Sequence, residues 1–200
     1  MLKSFGKSLL VIAAIMVATA VYTLVTTAIG QALFPSQANG SLISSGRVTQ
    51  GATLIAQPFT SKKYLWGRQM AITTGGLSPK TRGTDVMYSG PSQLSPNGHV
   101  EQDLVRDRVK TIKKLNPDRS GQPVPMDLVT NSGSGLDPEI SPKAAAYQVP
   151  RIAAARKLRQ STVQRIIDRN TRQRTLGILG EARVNVLQVN LSLDRLAHSR

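Results

Sequence analysis

Hydrophobic residues form one long uninterrupted block near the start of the chain. Residues 8–29 read SLLVIAAIMVATAVYTLVTTAI and contain no charged side chain. A run of more than about 18 apolar residues can cross a bilayer as a helix, because a helix pairs its backbone amides within the segment. The pattern therefore predicts one transmembrane helix, and we assign residues 1–30 to a short N-terminal tail and this anchor.

The charges beside this block predict its orientation. Lys3 and Lys7 precede it, whereas the next basic residue after it is Arg47. Positive charge collects on the cytoplasmic side of membrane helices, so we expect a cytoplasmic N-terminus and an extracytoplasmic chain after residue 30. The competing interpretation is a signal peptide cleaved near residues 28–32. The apolar block is longer than the 7 to 15 residues of such a peptide, and we expect a retained anchor.

The rest of the chain alternates short patterns with turn-rich segments. Residues 31–52 are rich in Gly, Ser and Asn and predict a connector with at most short structure. We assign residues 53–200 to one extracytoplasmic domain of ordinary size. Its first segment, Thr53–Phe59, has the composition of a short strand, in which Pro58 favours an edge or an end. Residues 75–98 carry dense Gly, Pro, Ser and Asn, which predicts a long loop.

Three helices are predicted from spacing and capping. Apolar residues recur at helical intervals across His99–Leu115, and Asn116-Pro117 ends that helix. Ser141-Pro142 has the chemistry of a helix start, and Pro150 inside the following segment predicts either a kink or two short helices. The residues from Ser161 to Gln164 match a capping box that opens a third helix.

The last pattern is an alternation of apolar and polar residues across Ala182–Leu193. The alternation slips by one residue at Leu187, which predicts a half-buried strand with a bulge. Together these elements predict a mixed α+β extracytoplasmic domain that follows one N-terminal transmembrane helix.

The chain is strongly basic, with 26 Lys and Arg against 11 Asp and Glu and a formal net charge of +15. Nucleic acid is not the expected partner, because aromatic residues make up only 4% of the chain and no nucleic-acid-binding motif occurs. The arginines between Arg151 and Arg174 have three interpretations: they contact membrane lipid phosphates, they contact an acidic partner, or they form a solvated helix face. Cysteine is absent, which excludes disulfides and thiolate sites.

One cluster of small residues precedes the second helix. It consists of Ser132, Gly133, Ser134, Gly135 and Asp137. Two interpretations are open. The backbone amides of the segment could bind an anion, in which case we expect it to be a partner-binding surface, or the segment forms a tight turn with an Asx-type helix start. The cluster lacks the lysine of a P-loop and the spacing of a hydrolase serine. His99 and His198 lack metal-ligand spacing, so we predict neither a metal site nor catalytic residues.

Several motifs along the chain occur together, in the same order, in one family. They are Tyr64-Leu65-Trp66-Gly67-Arg68, the run from Val124 to Pro142, Ala144–Gln148, Arg151-Ile152-Ala153, Leu176–Glu181 and Arg183–Leu187. In this arrangement the chain resembles the C subunit of the bacterial Kdp-type potassium-transporting ATPase. The resemblance extends over nearly the whole chain.

The resemblance implies a non-catalytic accessory subunit of a high-affinity, ATP-driven potassium importer in a bacterial inner membrane. The implied partners are a channel-like subunit that binds potassium, the transported ion, a catalytic P-type ATPase subunit and a small membrane subunit. The phosphorylation sequence Asp-Lys-Thr-Gly is absent from this chain. The resemblance therefore assigns ATP hydrolysis to the catalytic subunit.

The family's C subunit is also described as raising the catalytic subunit's affinity for ATP, through a Ser-Gly-Gly-Ser-like stretch and a glutamine. The resemblance places these at Ser89, Gly90, Ser92 and Gln148. Pro91 stands at the second glycine and removes an amide donor. These four residues are the candidate nucleotide-binding positions, and no firmly bound cofactor is expected.

The predicted orientation conflicts with direct nucleotide binding, because ATP is cytoplasmic and the candidate positions are predicted to lie outside. We therefore expect a subunit that assembles and stabilises the pump and assists ATP use through the membrane subunits. Two alternatives remain open: an ATP-binding regulatory subunit, and a free-standing anchored periplasmic binding module.

Overall fold

The computed structural model of the chain describes residues 2–70, 72–74, 85–87 and 89–198. The chain divides into two compact units, residues 1–50 and 51–200. The described residues form a mixture of helices and small antiparallel sheets, which confirms the predicted α+β class. The predicted division into tail and anchor, connector and extracytoplasmic domain stays a prediction.

The first unit begins with α1, Leu2–Leu33, which extends beyond both ends of the predicted span. Its part from Phe5 to Leu33 has a mean hydropathy of 2.4 and is long enough to cross a membrane. The hydroxyls of Thr19, Thr23 and Thr26 donate to carbonyls four residues earlier, at 2.8 to 2.9 Å, so their donors are paired within the helix. A signal sequence meets the same length and composition criteria, so the choice between anchor and signal peptide stays open.

Short elements occupy the predicted connector. Helix α2 covers Pro35–Ala38, and strands β1, Leu42–Ser45, and β2, Val48–Ala52, pair as a two-stranded sheet. Gly46 lies between these strands with φ 61°, a conformation that costs glycine no steric strain. The connector therefore contains only short structure, as its composition indicates.

Two expectations near the start of the second unit need correction: the strand at Thr53–Phe59 is wrong, and the loop at 75–98 is wrong at residues 85–87. Thr53–Phe59 does not form a strand: the Thr53 carbonyl accepts from the Asn185 side chain, and the Ala56 N–H donates to the Leu136 carbonyl. Each of these backbone groups is therefore paired with one group elsewhere in the domain and not with the successive residues of a neighbouring strand. The predicted loop at 75–98 contains β4, Asp85–Met87, which pairs antiparallel with β3, Ile72–Thr74. Residues 75–84 and 88 lie outside the described residues.

The three predicted helices are present. Helix α3 covers His99–Leu115 as predicted, and α4 covers Pro142–Arg156 with Pro150 inside one continuous helix. Ser141 is the N-cap of α4, where its side chain accepts from the Ala144 N–H. Helix α5 covers Gln160–Arg169, but the capping box is wrong. Arg159 occupies the N-cap without a side-chain cap, and Ser161 is already inside the helix.

The C-terminal region contains the largest correction. Strands β5, Glu139–Ile140, β6, Thr171–Arg172, and β7, Arg183–Asn185, form an antiparallel sheet in the order β5-β7-β6. Only the first part of the predicted strand at 182–193 is β7. The rest is helix α6, Val186–His198.

The reason for the correction is visible in the buried side chains of α6. Val186, Val189 and Leu193 lie three and seven residues apart and all are buried, which is helical spacing. The Asn185 side chain accepts from the Gln188 N–H and caps the helix start. The one-residue slip at Leu187 is therefore the start of a helix and not a bulge.

The core of the second unit lies between α4, α5, α6 and the three-stranded sheet. Two single-turn 3₁₀ helices, Pro117–Arg119 and Met126–Leu128, pack at its edge against α4. The largest fully buried apolar side chains are Leu65, Leu128, Ile152, Ile167, Leu193, Val163, Val184 and Val189. Leu65 belongs to a segment that is neither helix nor strand, so other groups must pair its backbone.

Candidate functional site

Residues 62–68, here called the clamped segment, cross the face of α4 and α6 without regular secondary structure. The side chain of Gln148, on α4, forms with one residue of this segment the two backbone hydrogen bonds that a neighbouring strand would form. Its side-chain oxygen accepts from the Trp66 N–H at 2.9 Å, and its nitrogen donates to the Trp66 carbonyl at 3.0 Å. The Gln148 side chain is fully buried and also donates to the Ala144 carbonyl. One glutamine therefore pairs both backbone groups of Trp66.

Asn190 of α6 does the same for the preceding residue. Its oxygen accepts from the Leu65 N–H at 2.8 Å, and its nitrogen donates to the Leu65 carbonyl at 2.9 Å. Asn190 is 1% exposed, and Leu65 is fully buried. Two side-chain amides from different helices thus fix consecutive residues of the clamped segment, as a strand ladder would.

Arg151, one turn after Gln148 on α4, is a buried cation that holds the start of the clamped segment. It donates to the carbonyls of Lys62 and Tyr64, to the Asn116 side chain and to the Gln148 side-chain oxygen. Its guanidinium lies 5.7 Å from the centre of the Trp66 ring. Burial lowers the pKa of Arg151 to about 10, which leaves the side chain positively charged at neutral pH.

Arg156 at the end of α4 joins the clamped segment to α6. It donates to the Lys63 carbonyl, to the Leu193 carbonyl and to Asp194, which lies 2.7 Å away. The Tyr64 hydroxyl donates to the other oxygen of Asp194 at 3.1 Å. The Arg156 side chain is 7% exposed and the Asp194 side chain is 33% exposed, so water screens this ion pair only in part.

Arg68 connects the end of the clamped segment to the small-residue cluster. Its guanidinium donates to Asp127 at 3.0 Å and to the Asn131 carbonyl at 3.1 Å, and lies 4.0 Å from Asp137. The second oxygen of Asp127 accepts from the Ser141 N–H, at the N-cap of α4. Arg68 and Asp127 therefore link the segment, the cluster and the start of the helix that carries Gln148.

The cluster of Ser132, Gly133, Ser134, Gly135 and Asp137 forms a tight turn. The Gly135 N–H donates to the Ser132 carbonyl, and Gly135 has φ 68°, where a side chain would strain the backbone. Asp137 accepts from the Glu139 N–H and leads into β5, whereas the helix cap is Ser141. The Asx interaction is thus present, but it begins a strand. Its use as an anion cradle stays a prediction.

The structure brings two of the candidate stretches together. The Gly90 N–H donates to the Ser134 carbonyl at 2.7 Å, so Ser89 and Gly90 adjoin the turn. Ser89 and Ser92 are exposed. Gln148 differs from them, since its side chain is buried and engaged with Trp66 and Arg151. The proposed nucleotide role of these four residues stays a prediction.

Asn190, Arg156, Asp194 and Arg68 were not recognised from the sequence as parts of one site. The signal in the sequence was the polar residues inside buried helical faces, such as Asn190 between Val189 and Leu193. His99 and His198 are the first residue of α3 and the last of α6. Among the described residues, no three His, Cys, Asp or Glu side chains lie together as metal ligands would. The polar side chains of α4 and α6 therefore position the backbone of the clamped segment and link the two helices.

Comparison with known proteins agrees with the motifs. Residues 5–195 match the family model described as KdpC: K+-transporting ATPase, c chain. The potassium-transporting ATPase KdpC subunit of Paraburkholderia phytofirmans is 46% identical over 98% of this chain and 100% of its own length. The KdpC subunits of Clostridium perfringens and Paraburkholderia xenovorans are 48% and 49% identical, over 87% and 88% of this chain and 87% of each relative. The chain therefore belongs to the KdpC family, the c chain of K+-transporting ATPase complexes.

Proposed function

We propose that this chain is a non-catalytic subunit that assembles and stabilises a potassium pump. In this proposal α1 anchors it in the bacterial inner membrane, and the domain at residues 53–200 docks outside on the channel-like, potassium-binding subunit. A catalytic P-type ATPase subunit hydrolyses ATP, and a small membrane subunit completes the complex. The chain assists ATP use indirectly, through the conformation of the membrane subunits.

The observation that carries the proposal is the use of the polar side chains around the clamped segment. Gln148, Asn190 and Arg151 are buried, and their hydrogen bonds go to backbone and side-chain groups of the same domain. A catalytic group must instead reach a substrate atom. A domain fixed in this way suits docking as a rigid body, which loses little conformational entropy on binding.

The orientation is proposed from the charges that flank α1. Lys3 and Lys7 lie at its start, and no basic residue follows it before Arg47. With the domain outside, its basic surface would repel potassium within about 8 to 10 Å. We therefore propose that the arginine-rich face points away from the ion entrance, toward lipid or solvent.

The alternative of an ATP-binding regulatory subunit would use Ser89, Gly90, Ser92 and Gln148. Because Gly90 contacts the turn at Ser134, this alternative would place Ser89, Gly90 and Ser92 together on one surface beside that turn. For Gln148 to bind nucleotide, its bonds to Trp66 would first have to break. Indirect assistance requires no such rearrangement, and we prefer it.

Co-purification tests the proposal. A tagged full-length chain, expressed with the other subunits and solubilised in mild detergent, should retain the two large membrane subunits. A chain that always purifies alone would overturn the proposed function and favour a free-standing anchored module.

Deleting residues 1–30 should abolish recovery of the complex. Two linked binding elements gain about a hundredfold or more over one, so the domain alone should dissociate during purification. A matched control replaces α1 with an unrelated apolar helix of the same length. Recovery with this control assigns α1 a tethering role, and loss assigns it specific helix contacts. An unchanged complex after the deletion would contradict the anchoring.

A further inference from the structure

The connection between β6 and β7 is an ordered hairpin with an apolar tip. Thr175 and Leu179 exchange two backbone hydrogen bonds, each of 2.9 Å. Behind them, Arg174 donates to both oxygens of Glu181 at 3.0 and 2.8 Å. These contacts fix residues 174–181, here called the apolar hairpin, as a defined projection and not a loose connection.

The tip of the apolar hairpin carries aliphatic side chains in solvent. Leu176 is 85% exposed, Ile178 is 76% exposed and Leu179 is 57% exposed. Single exposed apolar residues are ordinary, but three within four consecutive positions of a projecting turn form a contact surface. Leu176 also adopts φ 54°, a left-handed conformation that a leucine rarely takes. The chain thus keeps a large apolar side chain where glycine would be less strained.

Basic residues lie behind this tip. Residues 165–183 contain five Arg against two Asp and Glu, a formal charge of +3, and two of these arginines, Arg174 and Arg183, are ion-paired with Glu181 and Glu139. Arg172 and Arg169 are exposed and lie just before the apolar hairpin. Arg169 and Arg195 also line a groove of about 490 Å³ between α5 and α6, together with Asn170 and Ser192. Asn170 directly precedes β6, so this basic groove lies at the base of the hairpin.

We propose that the apolar hairpin inserts into the surface of an anionic lipid bilayer, with the arginines behind it contacting lipid phosphates. Apolar segments of interfacial proteins bury about 5 to 10 Å into the headgroup and acyl boundary. An extended chain rises about 3.3 Å per residue, which places Arg172 about 13 Å behind Leu176. That separation puts aliphatic side chains among acyl chains and guanidinium groups among phosphates.

The lipid surface fits better than an apolar groove of a protein partner, because lipid supplies both the apolar layer and the negative charge. The presence of α1 in the same chain adds to this, since a tethered domain needs only weak affinity of its own to stay bound. Which leaflet of the bilayer the hairpin contacts depends on the anchoring given under the proposed function. Lipid insertion itself can be measured on this chain without the other subunits.

The absence of cysteine allows a direct test with the full chain in nanodiscs. Ile178→Cys, carrying a nitroxide label, is compared with Gln102→Cys on the exposed face of α3. In discs with anionic lipid the label at 178 should be shielded from a water-soluble nickel complex and accessible to oxygen. The label at 102 should remain accessible to nickel. Discs of neutral lipid alone should give weaker shielding at 178.

Charge and apolar variants make the test specific. In anionic discs Arg172→Gln should lower the ratio of shielded to exposed label at 178 by about fivefold, since a basic residue near such a surface contributes about 1 kcal/mol. Leu176→Ser combined with Leu179→Ser should remove shielding at 178, and both side chains are exposed, so the fold is retained.

A label at 178 that is as accessible to nickel as the control in both kinds of disc would overturn the proposal. Shielding that appears only in the purified complex would assign the hairpin to a protein partner and would also overturn it. Neither result would alter recovery of the complex, which tests the proposed function separately.

Discussion

Replacing Gln148 by methionine should lower the free energy of unfolding of the second unit by about 3–5 kcal/mol. Methionine has a similar volume, so the packing of α4 is retained. The loss comes from the Trp66 N–H and carbonyl, which stay buried without partners, and from one N–H of Arg151. An unpaired buried polar group costs about 1–3 kcal/mol, and a donor on a cation costs more.

Urea unfolding of the full chain in detergent measures this loss. Trp66 is the chain's single tryptophan, so its fluorescence reports the clamped segment directly, and circular dichroism reports the helices. Gln102→Met on exposed α3 is the matched control and should change stability by less than about 0.5 kcal/mol. Equal stability of Gln148→Met and the control would refute a structural role for Gln148.

The second large effect is expected for Asn190→Leu. Leucine fills the space of the buried asparagine side chain but leaves the Leu65 N–H and carbonyl without partners. We expect a loss of about 2–4 kcal/mol in the free energy of unfolding. Asn97→Leu, at an exposed loop position, is the matched control.

The two substitutions should also be coupled. Gln148 and Asn190 hold adjacent residues of one segment, so release of the segment by the first change reduces the cost of the second. The double variant should therefore lose less stability than the sum of the single losses, by about 0.5–3 kcal/mol. Strict additivity would mean that the two amides act on independent structures.

The helices α3 and α4 could be predicted because their signals are local. His99–Leu115 shows helical spacing and ends at Asn116-Pro117, and Ser141 caps α4 through its own side chain. The sequence predicts a strand in place of α6 because apolar and polar residues alternate from Leu187 to Leu193, whereas Val189 and Leu193 also fit helical spacing. The Asn185 cap is a local signal like that of Ser141, but the packing of α6 against α5 is not contained in any local pattern.

The clamped segment illustrates a different limit. Its residues resemble the family's motif, but the resemblance gives no physical reason for them. The partners of Trp66 and Leu65 lie 82 and 125 residues away along the chain. A polar residue inside an apolar helical face indicates a buried hydrogen bond without indicating its partner. Only the packing of α4 and α6 brings these amides to one segment.

The structure also divides the basic stretch that the sequence presented as one feature. Arg151 and Arg156 point into the domain and hold carbonyls and Asp194. Arg165, Arg169 and Arg172 are exposed. The first group stabilises the fold, and the second is available to lipid phosphates. The net charge therefore does not describe a single function.

The claim on which the proposed function most depends is that the domain lies outside the cytoplasm. The cysteine-free chain permits a direct measurement with Gln102→Cys in intact spheroplasts that contain the complete pump. A membrane-impermeant maleimide should label position 102 from the outside, to the same extent before and after the membrane is permeabilised. Labelling that requires permeabilisation would place the domain in the cytosol and contradict the proposed function.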